Sequence, residues 1–204
     1  MTERTGSSDA LLYIHGRGGS AAESEHYGPL FPAREVMGLA YRGATPWEAG
    51  AEIRAAAAEL KERYRSIDLI ANSIGAFFCL HAGLNGLVRK AYFISPVVDM
   101  EGLIGGMMAR AGVSEAELRK RGLIRTAFGE ELSWAYLRYV RTHPVDWRVP
   151  THILCGSGDL LTPLETLRDF ARRHGASLTV MEGGEHWFHT PEQMRFLDDW
   201  IRSR

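Results

Sequence analysis

Six short apolar runs, separated by segments with helix signals, constrain the fold of this chain more than any other feature. Most of the runs are near-continuous rather than alternating, which is typical of strands covered on both faces of a parallel sheet. The runs lie at residues 10–15, 35–41, 67–72, 90–98, 151–155 and 177–181. Strands that alternate with helices in this way predict a doubly wound α/β fold, with a mostly parallel six-stranded sheet, helices on both faces and right-handed crossovers.

Four helix starts carry the same capping pattern. In Thr45-Pro46-Trp47-Glu48 the threonine can cap the free amides of the first turn, the proline fits the first helical position, and the glutamate can reach back. The pattern recurs, without the proline in one case, at Ser114, Thr162 and Thr190. We therefore predict helices that begin after these four residues, and a further helix over residues 77–84.

The charge balance and the cysteines limit the function and the compartment. The 204 residues carry 24 basic and 25 acidic side chains, a net charge of −1, so no basic excess is available for binding nucleic acid. Cys79 and Cys155 cannot form a disulfide framework and indicate buried thiols in a reducing compartment. Residues 1–9 lack the apolar stretch of a signal peptide, and no window holds 18 uninterrupted apolar residues. We expect a cytoplasmic protein without a membrane span; the oligomeric state stays open.

Ser73 stands at the corner between the third predicted strand and the helix that follows it. Its neighbours two positions away, Ala71 and Gly75, are small, as a tight strand-to-helix turn requires. A serine on such a corner is the nucleophile-elbow pattern, in which a strained backbone leaves the hydroxyl exposed. The other interpretation is an ordinary helix N-cap serine.

A glycine-rich segment, residues 15–20 (His-Gly-Arg-Gly-Gly-Ser), follows the first strand directly. It can be an oxyanion loop, in which the backbone N–H groups of Arg17 and Ile74 bind a developing negative charge. It also matches the dinucleotide fingerprint G-x-G-x-x-A over residues 16–21. That second interpretation needs a long helix to open in the loop, and Gly28-Pro29 interrupts the segment.

Two further polar loops follow the last two strands. Asp159 ends the sequence Gly-Ser-Gly-Asp, and His186 lies in the sequence Gly-Gly-Glu-His, with His189 as a weaker candidate nearby. Each has a simple alternative, a turn aspartate or a solvated loop histidine. The carboxyl ends of parallel strands meet at one edge of the sheet, where α/β folds place their sites. We therefore expect Ser73, Asp159, His186 and the glycine-rich loop to come together at that edge.

The chain order of a glycine-rich loop, then Ser73, Asp159 and His186, resembles the α/β-hydrolase family, whose triad runs serine, acid, histidine. The resemblance covers residues 10–204 and is to small bacterial esterases of this fold. The chain departs from the family in Ala71, where a glycine is usual, and in lacking the two strands that often precede the oxyanion strand. Some members place the acid one strand earlier, which would select Asp99; that residue can also be a helix N-cap.

The resemblance implies a serine hydrolase that cleaves ester or thioester bonds of small substrates through an acyl-serine intermediate. Ser73 would be the nucleophile, His186 the base and Asp159 the acid, and no metal or organic cofactor is needed. The amides of Arg17 and Ile74 would be the oxyanion donors. The same triad can serve C–C bond hydrolysis or acyl transfer, and the fold can serve a binding protein without turnover.

The long insertion between the fourth and fifth strands, residues 99–147, carries helix signals at residues 100–111, 114–121 and 130–142. Both its ends lie at the predicted catalytic edge, so we expect a small helical cap on a single α/β-hydrolase domain, residues 1–204. Helices this short must bury an apolar face. Trp134 and Tyr136 are the expected lining of a pocket for short or medium acyl groups, although an aromatic stripe on a helix can equally be packing.

Overall fold

A computed structural model gives the structure of residues 9–204. The segment for which we expect no signal peptide, residues 1–9, lies outside the described residues except for Asp9. In the described part of the chain, no helix has the length and apolarity needed to cross a bilayer. The chain divides into a main unit, Met1–Val98 with Asp146–Arg204, and a second unit, Asp99–Val145.

The main unit is built on a six-stranded sheet in which every neighbouring pair of strands is parallel. Its strands are β1 (Asp9–Ile14), β2 (Arg34–Gly38), β3 (Ile67–Asn72), β4 (Lys90–Ile94), β7 (Thr151–Gly156) and β8 (Ser177–Met181), while β5 and β6 belong to the second unit. The order across the sheet is β2-β1-β3-β4-β7-β8, which confirms the predicted sheet. The strand order reverses between β1 and β3, and such a switch point is where open α/β sheets bind their ligands.

Helices pack on the sheet because its strands are apolar on both faces. The helices of the main unit are α1 (Pro46–Arg63), α2 (Ile74–His81), α6 (Leu164–His174), α7 (Pro191–Arg202) and a 3₁₀ helix at Ala21–Leu30. Successive side chains of a strand point to opposite faces. Leu11 and Tyr13 of β1 pack in one cluster with Trp200 of α7, whereas Leu12 and Ile14 are buried on the other face. Burial on both faces explains the near-continuous apolar runs.

The second unit is small and mostly helical. It holds α3 (Met100–Ala111), α4 (Glu115–Arg121), an antiparallel hairpin of β5 (Leu123–Arg125) and β6 (Glu131–Ser133), and α5 (Trp134–Thr142). Arg141 on α5 joins the three helices, because its guanidinium donates to Glu101 of α3 at 2.7 Å and to Glu115 of α4 at 2.8 Å. The predicted helices over residues 100–111 and 114–121 are confirmed within one residue.

Trp147, which the sequence places in the insertion, lies in the main unit. Its ring centroid is 5.4 Å from that of Phe93 in β4, and its Nε1 donates to Thr151 Oγ1 at 2.7 Å. The indole therefore packs beside β7, and the second unit ends two residues earlier, at Val145.

Three of the four predicted helix caps are confirmed. The side chains of Thr45, Ser114 and Thr190 each accept a hydrogen bond from the backbone N–H three residues later. The prediction for Thr162 is wrong, since α6 begins at Leu164 without a side-chain cap. The Thr162 N–H instead donates to the Asp159 carboxylate at 3.3 Å. Thr162 therefore belongs to the turn that holds Asp159 and does not cap the helix.

Several predicted boundaries are also wrong, because the chain turns earlier than the sequence pattern indicates. The strand predicted for residues 35–41, for example, ends at Gly38. Residues 130–142 are not one helix: Gly129 has φ of 86° in a hairpin turn, and the next residues pair with β5. The helix predicted for residues 77–84 begins at Ile74. The strand predicted for residues 90–98 ends at Ile94, because Ser95 adopts φ of 44° immediately before a proline.

Candidate active site

Ser73 occupies a strained turn between β3 and α2. Its φ of 51° and ψ of −121° lie in a region that non-glycine residues rarely adopt. The backbone on both sides is held in place, since the Ser73 N–H donates to Ile94 O at 3.0 Å and Ser73 O accepts from Val97 N–H at 3.1 Å. The side chain makes no capping hydrogen bond to α2, so the alternative of an ordinary N-cap serine does not describe it.

The small residues around Ser73 have a direct steric reason. A Cβ atom on Gly75 would lie 2.4 Å from His15 O and 3.0 Å from Ile14 O, so only glycine fits against the end of β1. Ala71, the departure from the usual glycine, is fully buried and pairs with Ile14 in β1 and Phe93 in β4. The regular strand geometry at that position therefore accommodates the extra methyl group.

His186 lies between Ser73 and Asp159. Its Nε2 is 2.8 Å from Ser73 Oγ, and its Nδ1 is 2.8 Å from Asp159 Oδ2. The histidine side chain is 27% exposed, whereas that of Asp159 is only 1% exposed. The ring is thus open to a substrate on one side and held by a buried carboxylate on the other.

The second oxygen of Asp159 is held by backbone amides. Oδ1 accepts hydrogen bonds from Leu161 N–H at 2.8 Å and from Thr162 N–H at 3.3 Å. These donors satisfy the buried carboxylate and fix its orientation, so that Oδ2 faces the imidazole. A carboxylate in this position favours the imidazole tautomer with the proton on Nδ1, which leaves Nε2 free to accept a proton.

The loops that carry Asp159 and His186 pack tightly against each other. A Cβ atom on Gly156 would lie 2.0 Å from Gly184 O, so the two backbones touch at a point where neither tolerates a side chain. Gly158 N–H donates to Gly184 O at 2.8 Å, and Gly183 N–H donates to Ser157 Oγ at 2.8 Å. The glycines seen in the sequence therefore set the distance between the acid and the histidine.

Asp99 and His189, the weaker candidates, have other partners. Asp99 Oδ1 accepts from Gly102 N–H at 2.9 Å, the N-cap bond of α3. The His189 ring stacks on that of Trp187, with centroids 4.5 Å apart and planes inclined by 19°. Neither residue is the histidine or the carboxylate that lies beside Ser73.

The glycine-rich segment after β1 forms a tight turn against the Ser73 corner. Gly19 N–H donates to Gly16 O at 3.2 Å, and Gly18 has φ of 77°, which the third position of a type II turn requires. A Cβ atom on Gly16 would lie 3.1 Å from Ser73 Cβ, so the turn that carries Arg17 lies directly against the serine. Ile74 is the first residue of α2, and its N–H has no partner within the helix.

The dinucleotide interpretation of this loop is not supported by the structure. It requires an α-helix whose N-terminus opens in the loop. The chain instead forms a 3₁₀ helix at Ala21–Leu30 with Pro29 inside it.

Three residues that the sequence analysis did not single out follow site residues, or a partner of Ser73, directly in the chain. Leu160 and Trp187, which directly follow Asp159 and His186, are 97% and 72% exposed. Among residues 9–204, Ser95 is the second non-glycine residue with positive φ after Ser73, and its N–H donates to Leu154 O at 2.7 Å. The Ser-Pro pair after β4 is a sequence signal that could have indicated this second tight turn.

Trp134 and Tyr136 lie on α5 in the second unit. Both are partly buried, and the Arg119 guanidinium lies 5.9 Å from the Trp134 ring centroid. Their place in an acyl pocket stays a prediction.

The two cysteines lie in the interior of the protein. Cys79 and Cys155 are free and buried, as predicted, and burial raises the pKa of the Cys155 thiol to about 11. Both thiols therefore stay protonated near neutral pH. Among residues 9–204, no group of three or more His, Cys, Asp or Glu side chains is arranged to hold a metal ion.

No protein-family model and no curated protein sequence matches this chain. Its fold is similar to that of several solved structures. Est1E from Butyrivibrio proteoclasticus has a TM-score of 0.76 and 17% identity over 96% of this chain and 86% of its own. Mouse alpha/beta hydrolase domain-containing protein 10 has a TM-score of 0.71 and 15% identity over 95% and 88% of the two chains. A monoacylglycerol lipase from Paleococcus ferrophilus has a TM-score of 0.58 and 17% identity over 95% and 94%.

The TM-scores and the coverage show a similar fold over most of each chain, and identities this low show similarity of fold alone. The parallel sheet and its strand order agree with it. The chain therefore has the α/β-hydrolase fold.

Proposed function

We propose that this protein is a serine hydrolase that cleaves carboxylic ester or thioester bonds of small substrates through an acyl-serine intermediate. The observation that carries the proposal is the line of hydrogen bonds from Ser73 Oγ through both ring nitrogens of His186 to the buried Asp159 carboxylate. A serine hydroxyl is a weak nucleophile until an adjacent base removes its proton. This line supplies that base and the group that orients it.

In the acylation step, Ser73 Oγ attacks the substrate carbonyl carbon while His186 Nε2 accepts the hydroxyl proton. The tetrahedral intermediate then breaks its bond to the leaving oxygen or sulfur, and His186 Nε2 donates the proton to that atom. In deacylation a water molecule attacks the acyl-serine, His186 accepts and returns one proton, and the carboxylic acid and free Ser73 result. Asp159 stays ionised throughout and stabilises the imidazolium.

The negative charge that develops on the carbonyl oxygen needs donors that are already in place. The backbone N–H groups of Arg17 and Ile74 belong to the two segments that meet at Ser73, and we assign them this role. In known enzymes, loss of one such donor costs about 2.7–4 kcal/mol of transition-state stabilisation.

The structural neighbours support small acyl compounds as substrates. Est1E is described with ferulic acid bound, and another neighbour is a monoacylglycerol lipase. A suitable screen therefore contains p-nitrophenyl esters of two to eight carbons, a thioester and methyl ferulate. Failure of all esters with retained reactivity of Ser73 would favour the alternatives, C–C bond hydrolysis or acyl transfer.

The nucleophile assignment is tested by labelling with a fluorophosphonate and identifying the modified peptide. The label should attach to Ser73. The Ser73→Ala protein should not be labelled, and its kcat should be lower by a factor on the order of 10⁶. Ser95→Ala is the matched control, because Ser95 also follows a strand with positive φ. The assignment is wrong if the Ser73→Ala protein is still labelled.

The acid assignment is tested with two Asp→Asn substitutions. Asp159→Asn should favour the wrong imidazole tautomer and reduce kcat by about 10⁴. Asp99→Asn should be nearly silent, because asparagine caps a helix about as well as aspartate. If Asp99→Asn loses most of its kcat while Asp159→Asn loses little, the assignment of Asp159 as the acid is wrong.

The predicted acyl pocket is tested with Trp134→Ala and Tyr136→Ala. A lining role should change the ratio of kcat/KM between two-carbon and eight-carbon esters in at least one variant. If both variants keep the wild-type ratio, these side chains are packing only.

A further inference from the structure

The hydroxyl group of Tyr13 is buried and has no part in the proposed chemistry. It nonetheless joins Glu23, near the glycine turn, to Asn72, the residue before Ser73. Tyr13 lies on β1 and is fully buried. Its hydroxyl donates to the Glu23 carboxylate and accepts a hydrogen bond from Asn72 Nδ2 at 2.9 Å. Asn72 directly precedes Ser73 in the chain. Burial raises the pKa of Tyr13 well above its usual range, so the hydroxyl keeps the proton that it donates.

Glu23 connects this hydroxyl to the glycine turn. Its Oε1 accepts from Ser20 N–H at 3.1 Å. Gly19 lies so close to the carboxylate that a Cβ atom there would be 2.6 Å from Oε1. Because Gly19 also closes the turn by its hydrogen bond to Gly16 O, the carboxylate holds the far end of the turn that carries Arg17.

The near end of the same turn lies against the serine, where a Cβ on Gly16 would be 3.1 Å from Ser73 Cβ and 3.3 Å from Asn72 O. The turn is thus held at one end by the Ser73 corner and at the other by a carboxylate that is itself tied, through Tyr13, to the residue before Ser73. Hydrogen bonds to a charged carboxylate are about twice as strong as neutral ones, which suits this linking role.

We propose that Glu23 is a positioning residue, which acts through Tyr13 and Asn72 to keep the Arg17 backbone N–H at a fixed distance from Ser73. The inference rests on the proposed function, because it requires that this N–H binds an oxyanion. A simpler role for Glu23 is the capping box with Ser20 at the start of the 3₁₀ helix. That role uses Oε1 only. It does not account for the hydrogen bond that Oε2 accepts from the Tyr13 hydroxyl, or for the one that this hydroxyl accepts from Asn72 Nδ2.

The test compares Tyr13→Phe with a matched control, Tyr64→Phe. Tyr64 is also buried, and its hydroxyl donates to Glu35 Oε2 at 2.5 Å. Tyr64 precedes β3 and Glu35 is near the start of β2, so this pair lies at the amino edge of the sheet, opposite the site. Both substitutions remove a hydrogen bond from a tyrosine hydroxyl to a glutamate, and Tyr13→Phe also removes the acceptor of the Asn72 Nδ2 bond.

Four quantities are measured for each variant: kcat and KM with p-nitrophenyl butyrate, the inhibition constant of phenylboronic acid, and the free energy of unfolding in urea. A boronic acid forms a tetrahedral adduct with the serine, so its affinity reports the oxyanion donors. Tyr13→Phe should lower kcat by about 10- to 100-fold and raise the boronate inhibition constant by a similar factor, with KM changed less than twofold. Tyr64→Phe should lose stability to a similar extent and keep kcat and boronate affinity within twofold.

Glu23→Gln and Glu23→Ala provide a second series at an exposed residue, in case Tyr13→Phe does not fold. Glutamine keeps an oxygen that can accept from Ser20 N–H or from Tyr13, so it should retain more kcat and more boronate affinity than alanine. The inference is overturned if Tyr13→Phe, or both Glu23 variants, keep wild-type kcat and boronate affinity while the wild type hydrolyses the ester. Equal losses of kcat and of boronate affinity in the Tyr13 and Tyr64 variants would also overturn it. If the wild type neither turns over esters nor reacts with a fluorophosphonate, the proposed function itself fails.

Discussion

Substitution of Gly75 by alanine should separate the outer end of β1 from the Ser73 corner. The new Cβ would lie 2.4 Å from His15 O, whereas Cβ atoms in proteins do not approach other atoms within 3.0 Å, so the two backbones must move apart by at least 0.6 Å. The movement is costly because β1 is hydrogen-bonded on both sides, to β2 and to β3. Overpacking of this kind costs about 1–3 kcal/mol, and we expect the upper half of that range because both contacts are to backbone.

The same displacement should impair catalysis, because the Arg17 turn follows directly after His15. A shift of about 1 Å in a catalytic group can cost 10²-fold in rate, so a shift of 0.6 Å should cost at least about tenfold in kcat. Urea unfolding and esterase kinetics measure the two effects. The control is Gly105→Ala in α3, where a Cβ meets nothing within 4 Å and the helix should gain up to about 1 kcal/mol. A Gly75→Ala protein with wild-type stability and kcat would refute the steric argument.

The sheet could be predicted from the sequence because its strands are buried on both faces. The strands Ile67–Asn72 and Ser177–Met181 have the predicted boundaries, since each is a short apolar run between polar turns. The errors arose where a tertiary contact decides the outcome. Thr162 has the sequence of a helix cap, but the Asp159 carboxylate binds its N–H, and no local pattern reports a carboxylate in that position.

The order of residues along the chain predicted which edge of the sheet holds the candidate site, but not the contacts within it. Ser73, Asp159 and His186 could be placed at one edge because each follows a parallel strand, and the structure gives the distances between them. The contact between Tyr13 and Asn72 was not predictable, because the two residues are 59 positions apart. The sequence pattern indicates only that each lies in a buried strand. Glu23 was equally hidden, because it lies in a segment that the sequence defines only by its proline and glycine breaks.

Two further predictions concern stability. Thr190→Ala should lower the free energy of unfolding by about 1 kcal/mol, because the Gln193 N–H loses its cap, and Thr190→Ser should restore most of the loss in a urea titration. Asp9→Asn should destabilise the protein in a pH-dependent way. Two hydrogen bonds from Arg65, each of 3.1 Å, lower the pKa of Asp9 to about 2 in the folded protein, against about 3.9 in an unfolded chain. A depressed folded pKa means that the contribution of the carboxylate is present above about pH 4 and is lost as the pH falls towards 2. The difference in unfolding free energy between wild type and Asp9→Asn should therefore be constant from pH 7 to pH 5 and shrink between pH 4 and pH 2. Because most of the Arg65 side chain is exposed, the difference should be small and should decrease further in high salt. A difference that stays unchanged down to pH 2 would show that packing of the Asp9 side chain, rather than its charge, holds the start of β1.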